Sequence, residues 1–311
     1  MAIQLMHEKW SGSVSEITIG ATKEEGGSRA FKVKIGGERS LPLLFKEGVI
    51  PNKPYPIFEV WDTYPKDWPE ELTKAFGDVL SDPFLWADKC IKEYNAKIIC
   101  LRLKGAHPEF EDKSPSEEAN LVKDFLRKFD LPLIILGCGD DEKDNILLPA
   151  CSEAAKNERC LIGNATQNNY KAVTAGALAG GHSLIAESPI DINIAKQLNI
   201  LISDMGMPLE RIVIDPTIGA LGYGLEYAYS IMERARLAAL SGDKTLFSPF
   251  LCLAGQEAWR AKEAKAEDVR QGIIWEILTV LALVQAGANL LVMRHPTAVK
   301  EIERYIDSLF S

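Results

Sequence analysis

Hydrophobic and polar positions divide this chain in two: a short amino-terminal stretch of brief alternating runs, and a long remainder where apolar runs and helical periods take turns. Within residues 1–50, Val14–Gly20 and Arg29–Ile35 alternate or run apolar around Lys23-Glu24-Glu25-Gly26-Gly27, which reads as a β-hairpin. Leu41–Phe45 reads as a further short strand. A lone two-stranded hairpin is marginal in water. This extension is therefore expected either to plug one end of the main fold or to dock a partner.

From Pro56 the pattern becomes repeated strand–helix units. Ile57–Trp61 is the first strand. Asp82-Pro83 then opens a helix carrying Leu85, Trp86, Cys90, Ile91 and Tyr94, with Asp as N-cap and Pro at the first helical position. Lys97–Leu103 is the second strand. Ser114 and Glu117 have capping-box spacing before a helix that buries Leu121, Val122, Phe125, Leu126 and Phe129. Pro132–Leu136 is the third strand, with a helix expected after Asp144. Cys160–Gly163 is the fourth; its helix holds Tyr170, Val173, Ala177 and Leu178 and stops at Gly180-Gly181. Ser183–Ala186 is the fifth, and Ser188-Pro189-Ile190-Asp191 repeats the capping logic before Ile194, Leu198, Leu201 and Ile202.

The sixth unit is the one the rest is organised around. Ile212, Val213 and Ile214 are β-branched without alternation, as suits a strand buried on both faces. Asp215-Pro216 ends it, Thr217–Gly224 makes a glycine-rich loop, and Leu225–Leu240 is helical. Phe250–Leu253 is the seventh strand, followed by a helix showing Val269, Ile273, Ile277 and Leu281. Asn289–Met293 is the eighth, and Val299, Ile302, Ile306 and Leu309 mark the last helix. Eight such units over residues 51–311 match the roughly 250 residues of a (β/α)8 TIM barrel. The expectation is an α/β fold, a TIM barrel with an N-terminal β-hairpin extension over 1–50. A doubly wound open sheet is the alternative, and it needs no eightfold count.

Composition narrows the function. With 47% hydrophobic residues the chain can bury a large core. A net charge of −9 and no long basic run argue against nucleic-acid binding. No stretch approaches 18 uncharged apolar residues, so no membrane span is expected. Met1–Trp10 has no apolar signal-peptide segment, which points to a cytoplasmic protein. Cys90, Cys100, Cys138, Cys151, Cys160 and Cys252 form no CxxC pair. They are expected to be buried free thiols, and an iron–sulfur cluster within the chain is not expected.

In a barrel, ligand chemistry sits in the loops after the strands. Those loops offer Asp62-Thr63-Tyr64, Lys104 to His107, Gly137 to Asp141, Asn164 to Asn169, Glu187-Ser188, Asp215 with its glycine loop, Gly255-Gln256-Glu257 and Arg294-His295. The candidate binding residues are Gly139, Asp140, Asn164, Ala165, Thr166, Glu187, Asp215, Gly219, Gly255, Gln256 and Arg294. The set is rich in amides, hydroxyls and glycine backbone, with Arg294 the one cation immediately at a strand end. It suits a neutral ligand with many carbonyl, amide or ring-nitrogen groups. Loop capping is the ordinary role of each Asn or Thr taken singly, and only their grouping favours binding. GxxxxGK[ST], GxSxG and HExxH are absent. The four histidines are scattered, and His182, before the fifth strand, belongs at the opposite end. Asp215 and Glu187 are the carboxylates placed for acid–base work. Trp68, Trp259 and Phe110 are either partner anchors or ordinary loop packing.

The stretches IFEVWDTYP, LIILGCGDDEKDN, LIGNATQNNYK, IVIDPTIGALGYG and LVMRHP, with the amino-terminal hairpin, span nearly the whole chain. In combination they resemble the small subunit of the corrinoid/iron–sulfur protein, the acetyl-CoA decarbonylase/synthase delta-subunit family. That family looks like a barrel relative of the pterin-binding methyltransferases, whose Asp-Pro matches Asp215-Pro216 and whose strand-four Asn matches Asn164. Their further Asn after strand seven is missing, because this strand ends Gly255-Gln256. That departure weighs against binding of methylfolate by this chain.

The resemblance implies a heterodimer with a large subunit that carries both a [4Fe-4S] cluster and a cobalamin (corrinoid). The barrel mouth then covers the corrin face. It also implies transient partnership with a methyltetrahydrofolate:corrinoid methyltransferase and with acetyl-CoA synthase. On this reading the chain is a carrier subunit, not catalytic alone, and it lacks the D-x-H-x-x-G loop that many cobalamin domains use. Two other readings compete: a stand-alone pterin-dependent methyltransferase using Asn164 and Asp215, and an aldolase or lyase using Lys104.

Overall fold

The computed structural model describes residues 7–265 and 268–311; Met1–Met6, part of the leader reading, lie outside them. Two strands, β1 (Glu16–Ile19) and β2 (Val33–Gly36), form the antiparallel hairpin. Eight more form a parallel sheet: β3 (Tyr55–Trp61), β4 (Ile99–Arg102), β5 (Leu133–Leu136), β6 (Leu161–Ala165), β7 (Ser183–Glu187), β8 (Ile212–Asp215), β9 (Leu251–Cys252) and β10 (Leu290–Met293). Their order is β8-β7-β6-β5-β4-β3-β10-β9, and a parallel bridge from Ile214 to Phe250 joins the two ends. The sheet is therefore a barrel, with helices outside, and not an open sheet.

Side chains alternate along a strand, and here both faces are apolar. One set, including Phe58, Leu101, Ile135, Ile162, Leu184, Ile214 and Leu291, packs under the helices. The other set, including Ile57, Ile98, Ile134, Leu161, Ile185, Val213 and Leu290, fills the barrel interior together with Ile17, Ile19, Val33 and Ile35 of the hairpin. The hairpin is thus a plug. Ala30 N donates to Asp130 O at 2.7 Å, Gly20 N to Arg159 O at 2.8 Å and Ser15 N to Phe247 O at 2.7 Å. Each acceptor precedes a barrel strand, so the plug closes the amino end and leaves the carboxyl end open. Arg29 anchors it by donating to the Leu126, Phe129 and Leu131 carbonyls and pairing with Glu158 at 2.8 Å.

Gly36 lets the hairpin lie close. Its φ is +78°, and a Cβ there would run into the Ser15 carbonyl. Gly36→Ala is expected to lower stability by about 1–3 kcal/mol, read as a lower urea midpoint with an unchanged slope. An unchanged midpoint would mean the plug tolerates a shift at this point.

Local signals hold in most units. Asp82 caps Pro83–Lys92, accepting from Phe84 N at 2.7 Å, and Ser114 with Glu117 forms the capping box of Pro115–Lys128. Gly181, at φ +80°, ends Tyr170–Gly180. Four details differ from the sequence reading. Leu41–Phe45 is a set of turns and not a strand, with Leu44 N on Leu41 O at 3.2 Å and Leu43 at φ +61°; Pro42 has no N–H to give a ladder. The helix after β5 is Asp141–Ala154, capped by Asp140, so Asp144 sits inside its first turn. Asp191, not Ser188, caps Ile192–Asp204. A short helix, Ala254–Ala258, intervenes after β9 before the long helix Val269–Ala286.

That long helix is apolar enough, by length and composition, to cross a membrane. Here it is a barrel helix burying Gly272, Glu276, Thr279, Val280, Leu283 and Val284. Val269, Ile273, Ile277 and Leu281 are only half-buried. Helical spacing was right for the element but indicated a neighbouring face.

Candidate functional site

Because alternate side chains point inward, each interior apolar residue is followed two positions later by another inward one. Thus Ile57 leads to Glu59, Cys100 to Arg102, Ile185 to Glu187, Val213 to Asp215 and Val292 to Arg294. A polar layer therefore sits on the apolar interior, just below the open mouth.

Its centre is an ion cluster. Glu59, fully buried, accepts from Arg102 Nη1 at 3.1 Å and from Arg294 Nε at 2.6 Å. Arg102 also donates to Gln256. Burial works against the Glu59 charge, but Arg294 and Arg102 outweigh it and hold the carboxyl down to about 2. Arg294 further lies over the Trp68 and Trp61 rings, at 4.7 and 5.5 Å.

Above this cluster is a cavity of about 190 Å³ opening to the mouth. Asn164 Nδ2 donates to Glu187 Oε2 at 2.6 Å and to Asp215 Oδ2 at 3.0 Å. Thr217 N donates to Asp215 Oδ1 at 3.0 Å. Burial, then the neighbouring Glu187 charge, pushes Asp215 up to about 8. Asp144 folds its carboxylate back onto Cys138 N at 2.8 Å and Gly139 N at 3.0 Å, and burial raises its pKa. That arrangement fills with the protein's own carboxylate a pair of N–H groups that an anion would otherwise use.

Of the residues singled out from sequence, Gly139, Asn164, Thr166, Glu187, Asp215 and Gln256 line this cavity. The others have different placements. Asp140 accepts from Lys143 N as a helix cap. Ala165 is buried within β6, and Gly219 backs onto the Tyr223 carbonyl. Gly255 abuts Arg294 and Glu276 with no room for a Cβ. Arg294 is not a free cation at the rim, because Glu59 holds it. The sequence reading missed Arg102 and Glu59. Both lie inside apolar strands, and only the inward parity of their strands marks them.

Glu276 was missed too. Its Oε1 accepts from Arg294 N at 2.6 Å, and its Oε2 accepts from Trp259 Nε1 at 2.8 Å and His295 N at 3.1 Å. Burial pushes its carboxyl up to about 7. Trp259 is 1% exposed and Trp68 6%. Both are core residues, which removes them as surface anchors for a partner. Phe110 is half-buried under Lys104, whose Nζ donates to Cys138 O at 2.9 Å. Lys104 is not among the residues lining the cavity, although its Nζ lies 3.9 Å from where a Gly139 Cβ would sit, and burial lowers its pKa.

All six cysteines are buried free thiols. His182, buried ahead of β7, accepts from Cys160 N at 3.1 Å, far from the mouth. Among the described residues no three His, Cys, Asp or Glu side chains gather as a metal site.

The fold is similar to solved dihydropteroate synthases. The enzyme of Xanthomonas albilineans, with 4-aminobenzoic acid, superposes with a TM-score of 0.59 over 85% of this chain and 96% of that one, at 14% identity. That of Stenotrophomonas maltophilia gives 0.58 over 88% and 99%, at 13%. Identity this low speaks for the barrel alone. The acetyl-CoA decarbonylase/synthase complex subunit delta of Methanocaldococcus jannaschii is 36% identical over 302 residues, 95% of this chain and 74% of that protein. The subunit delta of Methanosarcina mazei is 36% identical over 315 residues, 97% and 72%. Residues 16–303 match the family described as CO dehydrogenase/acetyl-CoA synthase delta subunit. On the strength of that match, the chain belongs to the CO dehydrogenase/acetyl-CoA synthase delta subunit family.

Proposed function

We propose that the chain is the cytoplasmic small subunit of a heterodimeric corrinoid/iron–sulfur methyl carrier, its barrel mouth capping a corrinoid held by the large subunit. The methyl group passes from a methyltetrahydrofolate:corrinoid methyltransferase, through the carrier, to acetyl-CoA synthase. One observation carries this reading: the barrel is plugged at its amino end and presents a mouth of amide, hydroxyl and carboxyl groups over a cavity of about 190 Å³. Pockets that enclose a drug-sized ligand measure about 300–1,000 Å³. This one admits a side arm and leaves a macrocycle lying across the rim.

The residues fit such a group. Asn164, Thr166 and Gln256 supply neutral hydrogen-bonding groups, and Thr217 Oγ1 is buried with no partner among the described residues. At Gly139 an added Cβ would meet only the Arg102 and Lys104 tips, at 3.9 Å, so backbone is open to close approach. The bound corrinoid supplies a cobalt centre that accepts and releases the methyl group. The chain's part is to cover that face and exclude water, as closing elements do. Six separate buried thiols support placing the [4Fe-4S] cluster on the large subunit.

Methyl transfer is to be assayed with this chain alone and with its complex, using methylcobalamin on the large subunit. The expected result is transfer by the complex only, and a changed corrinoid absorption spectrum when this chain is added. Full activity from the isolated chain, or an unaltered spectrum, overturns the proposal. The Asn164–Asp215 bond favours a second reading, a stand-alone pterin-dependent methyltransferase. Calorimetry with methyltetrahydrofolate tests it: strong binding that disappears in Asp215→Ala would replace the first reading with the second.

A further inference from the structure

We infer that the cavity below the mouth is a socket for one primary-amide arm of the macrocycle, its N–H groups on Glu187 and Asp215 and its carbonyl toward Arg102. This rests on the capping reading and says how the cap grips. Three observations lead to it.

First, charge excludes an anion. The wall carries five carboxyl side chains, Asp141, Asp144, Glu187, Asp215 and Glu257, with the Arg102 guanidinium among them. Three of the five are already engaged: Asp144 on the Cys138 and Gly139 N–H groups, Asp141 with Thr166 and Asn168, and Glu257 with Arg260. A neutral group that donates to Glu187 and Asp215 and accepts from Arg102 fits what remains. Asp215, pushed up to about 8 by burial and Glu187, is largely protonated at pH 7, which lowers the pull on a cation.

Second, the protein supplies its own precedent. The primary amide of Asn164 already spans Glu187 Oε2 and Asp215 Oδ2 with one nitrogen, at 2.6 and 3.0 Å. Each carboxyl oxygen has more than one lone pair, so a second planar amide finds acceptors at the same spacing. Third, a donor faces the cavity: the Arg102 guanidinium lines it, with Nη2 3.9 Å from where a Gly139 Cβ would sit, while Glu59 and Gln256 both take Nη1.

The test uses the complex with its large subunit. The large subunit is loaded in parallel with cobinamide, whose arms are amides, and with cobyrinic acid, whose arms are carboxylates. Calorimetry at pH 7 measures the affinity of this chain for each, and circular dichroism checks the fold of every variant. Wild type is expected to favour the amide form at least tenfold, and Glu187→Gln to shrink that preference several-fold by improving the carboxylate form. Equal affinities in wild type, with the spectrum still responding to the chain, would overturn the socket and leave the capping reading intact. A spectrum blind to this chain would remove the capping reading, and the socket with it. Saturable methyltetrahydrofolate binding that Asp215→Asn abolishes would assign the cavity to a pterin ring and overturn the socket as well.

Discussion

Glu59→Ala is expected to lower the stability of the chain by about 3–5 kcal/mol, the usual cost of removing one partner of a buried ion pair. Glu59 is 0% exposed and is shared by two guanidinium groups, Arg102 at 3.1 Å and Arg294 at 2.6 Å. Without it both cations stay in the barrel interior, and Gln256 offers Arg102 only a neutral acceptor. Equilibrium urea unfolding reads the loss. A decrease under about 1 kcal/mol would mean that water reaches the arginines. Glu59→Gln separates charge from shape, because it keeps the volume and an acceptor but not the countercharge. It should fall between wild type and Ala. The same carboxyl has an acid signature. Its folded value, about 2, lies below the ordinary 4.5. Its contribution is therefore complete above about pH 4.5 and is lost as pH falls toward 2.

Asp215 works in the other direction. Its folded value is about 8 against an ordinary 3.8. An unfolded chain releases this proton near pH 4, whereas the folded chain keeps it to about pH 8. Between those limits the unfolded state binds fewer protons, so stability falls as pH rises. The expected decline from this group is ~2–4 kcal/mol, less than a full 1.36 kcal/mol per unit because Glu187 shares the site. Asp215→Asn cannot ionise. Its unfolding free energy should be flatter from pH 4 to 8, whatever constant offset the amide introduces near Thr217 N and Asn164. Some slope will persist, because Glu276, raised to about 7, and Glu118, raised to about 9, contribute with the same sign. Urea midpoints at several pH values decide the matter: equal slopes for wild type and variant would show that Asp215 is ionised in the folded state at neutral pH.

These two residues show where sequence reading reaches and where it stops. Asp215 stood out because it follows a β-branched run and precedes a proline and a glycine loop. Glu59 sits within IFEVW and Arg102 within ICLRL, where nothing local distinguishes a barrel-interior ion pair from a solvent-facing charge. Inward parity would have marked both, but only after closure of the barrel was assumed. Trp259 and Trp68 were open to a partner role because both lie in loops after strands. The structure buries them, one on Glu276 and the other under Arg294.

What the amino-acid order settled unaided was the local grammar: eight strand–helix periods, a hairpin ahead of them, caps at Asp82, Ser114 and Gly181, and the Asp-Pro end of the sixth barrel strand. Those features depend on contacts a few residues apart, so a window of sequence contains all the partners. The polar layer depends on partners such as Glu59 and Arg294, 235 positions apart. The plug likewise sets Ile17 and Ile35 against strands spread over the whole chain. Only ring closure brings such groups within hydrogen-bonding or van der Waals range. It also makes their interior dry enough for charge pairing and raised carboxyl pKa values to matter.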